Sequence, residues 1–264
     1  MDIATVLGFA LAAVAVFGGF MIEGGHLMSI MQPTAALIVF GGTAAAVLVQ
    51  FPLSDVLHTL KDVITVFRPP SVDLMAVVQE MVRYAQRARK EGVVALESDA
   101  ESVTEPFLRK ALRLAVDGSD TKVIREAMEL ELERAEREHD VGSKVLEAAG
   151  GYAPTIGILG AVLGLIHVMQ NLADPGKLGA GIAVAFVATV YGVFSANILF
   201  LPMAGKIKMR MQLFARRDEL ILTGVTAIVE GENPRLIEDK LKGYCGGTAA
   251  PSSGEEAAAA RKAA

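Results

Sequence analysis

The stretch GGYAPTIGILGAVLGLIHVM, residues 150–169, decides how this chain is read. It holds no Lys, Arg, Asp or Glu, and it has the roughly 20 residues that a helix needs to cross a bilayer. It also holds five glycines and Pro154. A helix that only sits in lipid gains nothing from residues that weaken helices. Pro154, Gly157, Gly160 and Gly164 therefore call for another reason.

Working outward, three further windows lack Lys, Arg, Asp and Glu and approach the same length: 3–22, 32–52 and 179–203. The 264 residues are 52% hydrophobic, with a mean hydropathy of +0.43. Ordinary soluble domains are about 45–50% apolar. The net charge of −5 points to no nucleic-acid partner. One cysteine, Cys245, excludes an internal disulfide framework and suits a reducing cytoplasm. With no tryptophan, an interfacial belt falls to Tyr and Phe. The first window opens MDIATV, with an acid, no basic n-region and no A-x-A-like site, so it reads as a retained helix and not a signal peptide.

The loop EGGHLMSIMQ between the first two windows has no Lys or Arg, and NLADPGKLG between the last two has only Lys177. About 14 Lys and Arg lie between Pro52 and Gly150, and Lys206, Lys208, Arg210, Arg216 and Arg217 follow the fourth window. The positive-inside rule then places both termini and the central segment in the cytoplasm of a multi-pass membrane protein. The expected fold is an all-α membrane protein with four transmembrane helices and a helical cytoplasmic domain between the second and third. The segments are 1–52 (helices 1 and 2), 53–149 (cytoplasmic), 150–203 (helices 3 and 4), 204–245 (C-terminal helical segment) and 246–264 (a low-complexity tail expected to be disordered).

The central segment reads as helices. Leu53, Val56, Leu57, Leu60, Val63, Ile64 and Phe67 recur at helical spacing, and Pro69 and Pro70 stop that helix. Ser71 is a candidate N-cap for the next, which puts Leu74, Val77, Val78, Met81, Ala85 and Ala88 on one side and Arg83, Arg87 and Lys90 on another, with Gly92 closing it. A third runs from about Glu105 to Val116. Asp120 then caps a long charged helix leading straight into residues 150–169.

Enzyme motifs such as a P-loop, G-x-S-x-G, H-E-x-x-H and C-x-x-C are missing, so no enzyme, cofactor or metal is expected. The four histidines show no ligand spacing, and His167 reads as packed or interfacial in preference to a proton relay. Gly160-x-x-x-Gly164, with Gly179, Gly181, Gly192, Ala183, Ala185 and Ala188, supplies small-residue faces for close helix packing. Thr155, Thr189, Tyr191, Ser195 and Asn197 add polar atoms where unsatisfied ones are costly. Tight packing and an ion path both fit these residues. No window holds a carboxylate, so an ion path would need an acid from another chain.

GGYAPTIGILGAVLGLIHVMQNL and GIAVAFVATVYGVFSANILFLPMAGKIK resemble the third and fourth membrane helices of MotA-type flagellar stator subunits, within the MotA/TolQ/ExbB proton channel family. The resemblance extends to nearly the whole chain, and four spans favour the stator over three-span TolQ and ExbB proteins. It implies a homo-pentamer around a dimer of a single-span B-type subunit that brings the membrane aspartate and a peptidoglycan-binding domain. It also implies torque on the rotor protein FliG. The family's two functional prolines fall on Pro154 and Pro202, and its threonine falls on Thr189. Thr155 stands where many members have alanine. Ala161 stands where sodium-type stators carry threonine, so protons are the favoured ion and sodium the alternative. The family's rotor-facing charges fall on Arg89 and Glu97, with Lys90 beside the first.

On this reading Pro154 loosens the start of the third span, and the glycines form a smooth lining past which a central partner helix turns, in preference to static packing. A TolQ/ExbB-like energiser of the cell envelope is the runner-up, and a passive membrane scaffold the reading from a different class.

Overall fold

The computed structural model describes residues 2–67, 72–171 and 175–246, without the side chains of His139 and 175–177. The expected cap Ser71 and nearly all of the tail lie outside these residues. Among the described residues there are helices and turns only, and four helices are long and apolar enough to cross a membrane: Ile3–Ile22, Pro33–Gln50, part of Thr121–Gln170 and part of Leu178–Val229. The chain packs as two units, one of residues 1–70 and 138–211, the other of 71–137 and 212–264.

In the first unit the second, third and fourth membrane helices meet through small clusters. Ala35 and Val39 of the second helix pack on Val187 and Ala188 of the fourth. Val47 packs on Val145 and Ala149 of the third. Helix Leu53–Val66 belongs here too, burying Val66 against Leu146, Ala204 and Ile207. Its other apolar residues Leu53, Leu57, Leu60 and Ile64 form an exposed stripe, so the helical period was legible but the covered side was not. Polar ties complete the unit. Asp2 caps the first helix and, with Thr5, accepts from Lys206 of the fourth. The Tyr191 hydroxyl donates to the Ile30 carbonyl at 2.5 Å and accepts from the Gln32 N–H at 3.3 Å, holding the loop between the first two helices to the fourth.

Three membrane helices contain a wider π-helical turn: Val14–Gly18, Leu37–Gly41 and Ser195–Phe200. The last has an evident cause. Pro202 lacks an N–H and its ring crowds the carbonyl one turn back, so the turn ahead of it opens while helix continues as Leu201–Val229. Pro202 therefore does not end the helix. Pro154 likewise lies inside the continuous 50-residue helix Thr121–Gln170, with Gly150 and Gly151 in the turn its ring would crowd. The expected loosening at the start of a third span is thus a proline carried within a longer helix.

The second unit has a core of large side chains. Met81, Tyr84, Leu96, Leu112, Ile124, Met128, Leu220, Ile221, Ile237 and Leu241 are all essentially inaccessible. Helix Leu74–Glu91 buries Val78, Met81 and Ala85 as its periodicity predicts, and Asp73 caps it, accepting from the N–H groups of Met75 and Ala76 at 3.0 and 3.2 Å. Glu105 caps Pro106–Val116 and is held by Arg217 at 3.1 Å. Burial, with Glu80 as hydrogen-bond acceptor, pushes the Tyr84 phenol well above its usual range.

Candidate functional site

The glycines of the opening stretch face the fourth helix. A Cβ at Gly157 would stand 2.9 Å from the Ala188 carbonyl oxygen and 3.2 Å from the Gly192 Cα. One at Gly164 would stand 2.9 Å from the Ala185 nitrogen, and one at Gly192 would overlap the carbonyl oxygen of Ala153. The two backbones are in van der Waals contact along a seam from residues 153–164 to 185–192, which only Gly and Ala allow. This corrects the sequence expectation. Gly157, Gly160 and Gly164 are occupied by contacts within the chain, so static packing accounts for them and they are not a free lining for a partner helix.

Thr189 sits on this seam, its Cα 3.5 Å from where a Gly157 side chain would begin. Its Oγ1 donates to the Ala185 carbonyl at 3.3 Å, long for a hydroxyl donor, whose usual range is about 2.5–3.0 Å. The half-buried hydroxyl is therefore weakly engaged by its own helix. Thr155 is exposed and firmly back-bonded to the Tyr152 carbonyl at 2.8 Å. Pro154 and Ala161, both half-buried, flank Gly157 on the third helix within about one turn on either side. Pro202 is separate, thirteen residues beyond Thr189 and so about 20 Å along the helix. Asn197 shares the exposed stripe of the fourth helix with Phe186, Val190, Val193 and Leu201, its amide donating to the Val193 carbonyl at 2.9 Å. Asn197, Ile198, Pro202 and Lys206 also line a cleft of about 380 Å³ against Thr5 and Phe9 of the first helix. Asn197 is one of the polar residues for which tight packing and an ion path both remained open in the sequence, and spacing alone does not tell an exposed stripe from a packed one.

In the second unit Arg89 and Lys90 are exposed in the last turn of Leu74–Glu91. Gly92, at φ +87°, turns the chain into the short 3-10 helix Val93–Leu96, and Glu97 opens the helix Glu97–Ser102, also exposed. Positive φ is cheap only for glycine. The three charges thus stand on the two arms of one corner, anchored by the fully buried Leu96.

Residues 99–219 match the MotA/TolQ/ExbB proton channel family, and residues 6–92 match the Motility protein A N-terminal family. Motility protein A of Bacillus subtilis is 36% identical over 249 residues, covering 92% of this chain and 91% of that protein. This chain belongs to the motility protein A family. Its fold agrees with solved relatives in that family. The structure of C. jejuni MotAB matches with a TM-score of 0.87 at 32% identity, covering 92% of this chain and 96% of that one. The flagellar MotAB stator complex from Bacillus subtilis matches with a TM-score of 0.83 at 35% identity, covering 89% and 93%. As a family member the chain is an all-α membrane protein with a helical cytoplasmic domain between its second and third membrane helices. The TolQ/ExbB-like reading is not favoured, since the matched N-terminal family reaches across the first two membrane helices. No Asp or Glu occurs between Glu147 and Asp174 or between Asp174 and Asp218, so the Thr189 seam carries no acid of its own.

Proposed function

We propose that this chain is the A-type subunit of a flagellar stator in the bacterial cytoplasmic membrane, turning proton flow into torque. The observation that carries the reading is the Thr189 seam, a closed helix pair with a weakly engaged hydroxyl and no carboxylate. Such a pair can line an ion path but lacks the titrating group to complete one. A B-type subunit supplies the aspartate, and the MotAB character of the matching solved structures supports that partner and an oligomer. The arrangement we propose is a homo-pentamer around a B dimer, with both termini, 53–149 and 204–264 in the cytoplasm. Thr189 hydrogen-bonds the partner's carboxyl or a water beside it. Pro154, Thr155 and Ala161 border the same level, and Pro202 shapes the helix below it. Arg89, Lys90 and Glu97 meet complementary charges on FliG.

Protons fit better than sodium. A sodium ion must exchange its water for several oxygens, whereas a proton needs one carboxyl and a hydrogen-bonded path. Ala161 offers no oxygen to a sodium ion. The test is swimming speed in cells carrying Thr189→Ala and Thr189→Val. Both should lose most torque at normal membrane levels, the Val variant because it keeps the shape and loses the hydroxyl. Wild-type speed should collapse with a protonophore and ignore external sodium. Speed that survives the protonophore and scales with sodium would overturn the proton assignment, and full torque in Thr189→Val would overturn the role of Thr189.

A further inference from the structure

We infer that Arg87 and Asp99 are positioning residues for the rotor-facing corner, a role that rests on the function proposed above. Arg87 lies one helical turn before the end of Leu74–Glu91. Its Nη1 donates to the Asp99 carboxylate at 2.6 Å, and its Nε to the Glu91 carboxylate at 3.2 Å. Asp99 is twelve residues on, in the helix that Glu97 opens. One guanidinium therefore spans the Gly92 turn and joins the arm bearing Arg89 and Lys90 to the arm bearing Glu97.

The corner needs such a tie. The 3-10 helix between the arms is four residues long and has a buried anchor only in Leu96. Gly92 holds a φ of +87° that sets the angle between the arms, and Leu96 and Ala100 seat the second arm in the core while its outer edge carries Glu97. Electrostatic torque depends on where charges stand relative to a partner, because the interaction of opposite charges falls with distance and with intervening solvent. An untied corner would let Glu97 drift against Arg89 while every charge remained present. The planar fork of Arg reaches two carboxylates in fixed directions, which a lysine cannot reproduce. Arg87 is half-buried and Asp99 more so, which places the tie beneath the edge and not on it.

The experiment measures stall torque per engaged stator unit by bead assay in cells, with fluorescently counted units. Arg87→Ala and Asp99→Asn should each lower torque per unit several-fold while unit counts and membrane levels stay within twofold of wild type. Arg87→Lys should fall between. The swap of Arg87→Asp with Asp99→Arg should recover much of the loss. A purely structural role would instead reduce the number of units and leave torque per unit unchanged, and that result, or full torque in Arg87→Ala, would overturn the inference. Arg89→Glu in the same assay separates the two levels. If Arg89→Glu loses torque and Arg87→Ala does not, the tie is wrong and the rotor-facing edge stands. If Arg89→Glu keeps full torque, the edge itself is wrongly placed.

Discussion

The membrane seam and the core of the second unit solve the packing problem with opposite kinds of residue. The seam brings backbones together over Gly157, Gly160, Gly164, Ala185, Ala188 and Gly192. The other core fills with Tyr84, Met81, Leu112, Ile124 and Ile237. In water, burying large apolar side chains is the main driving force, about 25 cal/mol per Å² removed from solvent. In lipid that force between helices vanishes, and close contact of small residues with many van der Waals pairs takes its place. The lesson is that sensitivity to mutation should invert between the two, with truncation costly in one and enlargement costly in the other.

The largest effect should come from Leu112→Ala. It leaves a cavity at a fully buried site and should cost about 2–5 kcal/mol, read by thermal or denaturant unfolding of the full chain in detergent. Loss below about 1 kcal/mol would mean that this core collapses around cavities and the contrast is weaker than drawn. Next comes Gly192→Ala, whose new methyl would overlap the Ala153 carbonyl oxygen. Overpacking of this kind costs about 1–3 kcal/mol, and here the obstacle is backbone and cannot rotate away. Swimming should be abolished and the thermal midpoint lowered, whereas Gly151→Ala, with open space around it, should be silent. Equal behaviour of the two variants would break the comparison at the seam.

The smallest effect sharpens it through pH. Tyr84 has its phenol pKa raised by burial and by the bond to Glu80. A raised folded value means the native state keeps its proton where the unfolded chain gives it up. Stability from this source is complete below the unfolded value of about 10 and is lost as pH rises above it. One unit past that point, near pH 11, the loss should be about 1.4 kcal/mol. Tyr84→Phe should lack this component, so the difference between the two stability curves should narrow by that amount between pH 9 and 11.

Much of the fold was legible. Charge-free windows marked the membrane helices, and period 3.6 with Gly92 and Glu105 marked the helices between them, because those signals are local. Orientation of faces was not. Leu53, Leu57, Leu60 and Ile64 carry the right spacing and stand exposed, while Thr59 of the same helix is buried. Spacing reports that one side is apolar and is silent on what covers it. The glycines of residues 150–169 were read for a moving partner because a small residue invites close approach from any helix. Only the fold shows that the fourth helix of the same chain already makes that approach. The Arg87–Asp99 tie was invisible for a related reason. A charge twelve residues away across a glycine turn has no sequence period to betray it.

The widened turn at Ser195–Phe200 has a consequence for counting. Each residue of a regular helix advances the azimuth by about 100°, so an extra residue in one turn shifts everything after it by that angle. Extrapolating from Thr189 at 3.6 residues per turn therefore points Lys206 and Arg210 in the wrong direction. A cysteine scan down this helix should show its accessibility wave slip phase between positions 195 and 200. Removing a single residue there, so that the turn closes to a regular one, should abolish the phase slip and leave Lys206 facing Asp2 and Thr5, its partners on the first helix.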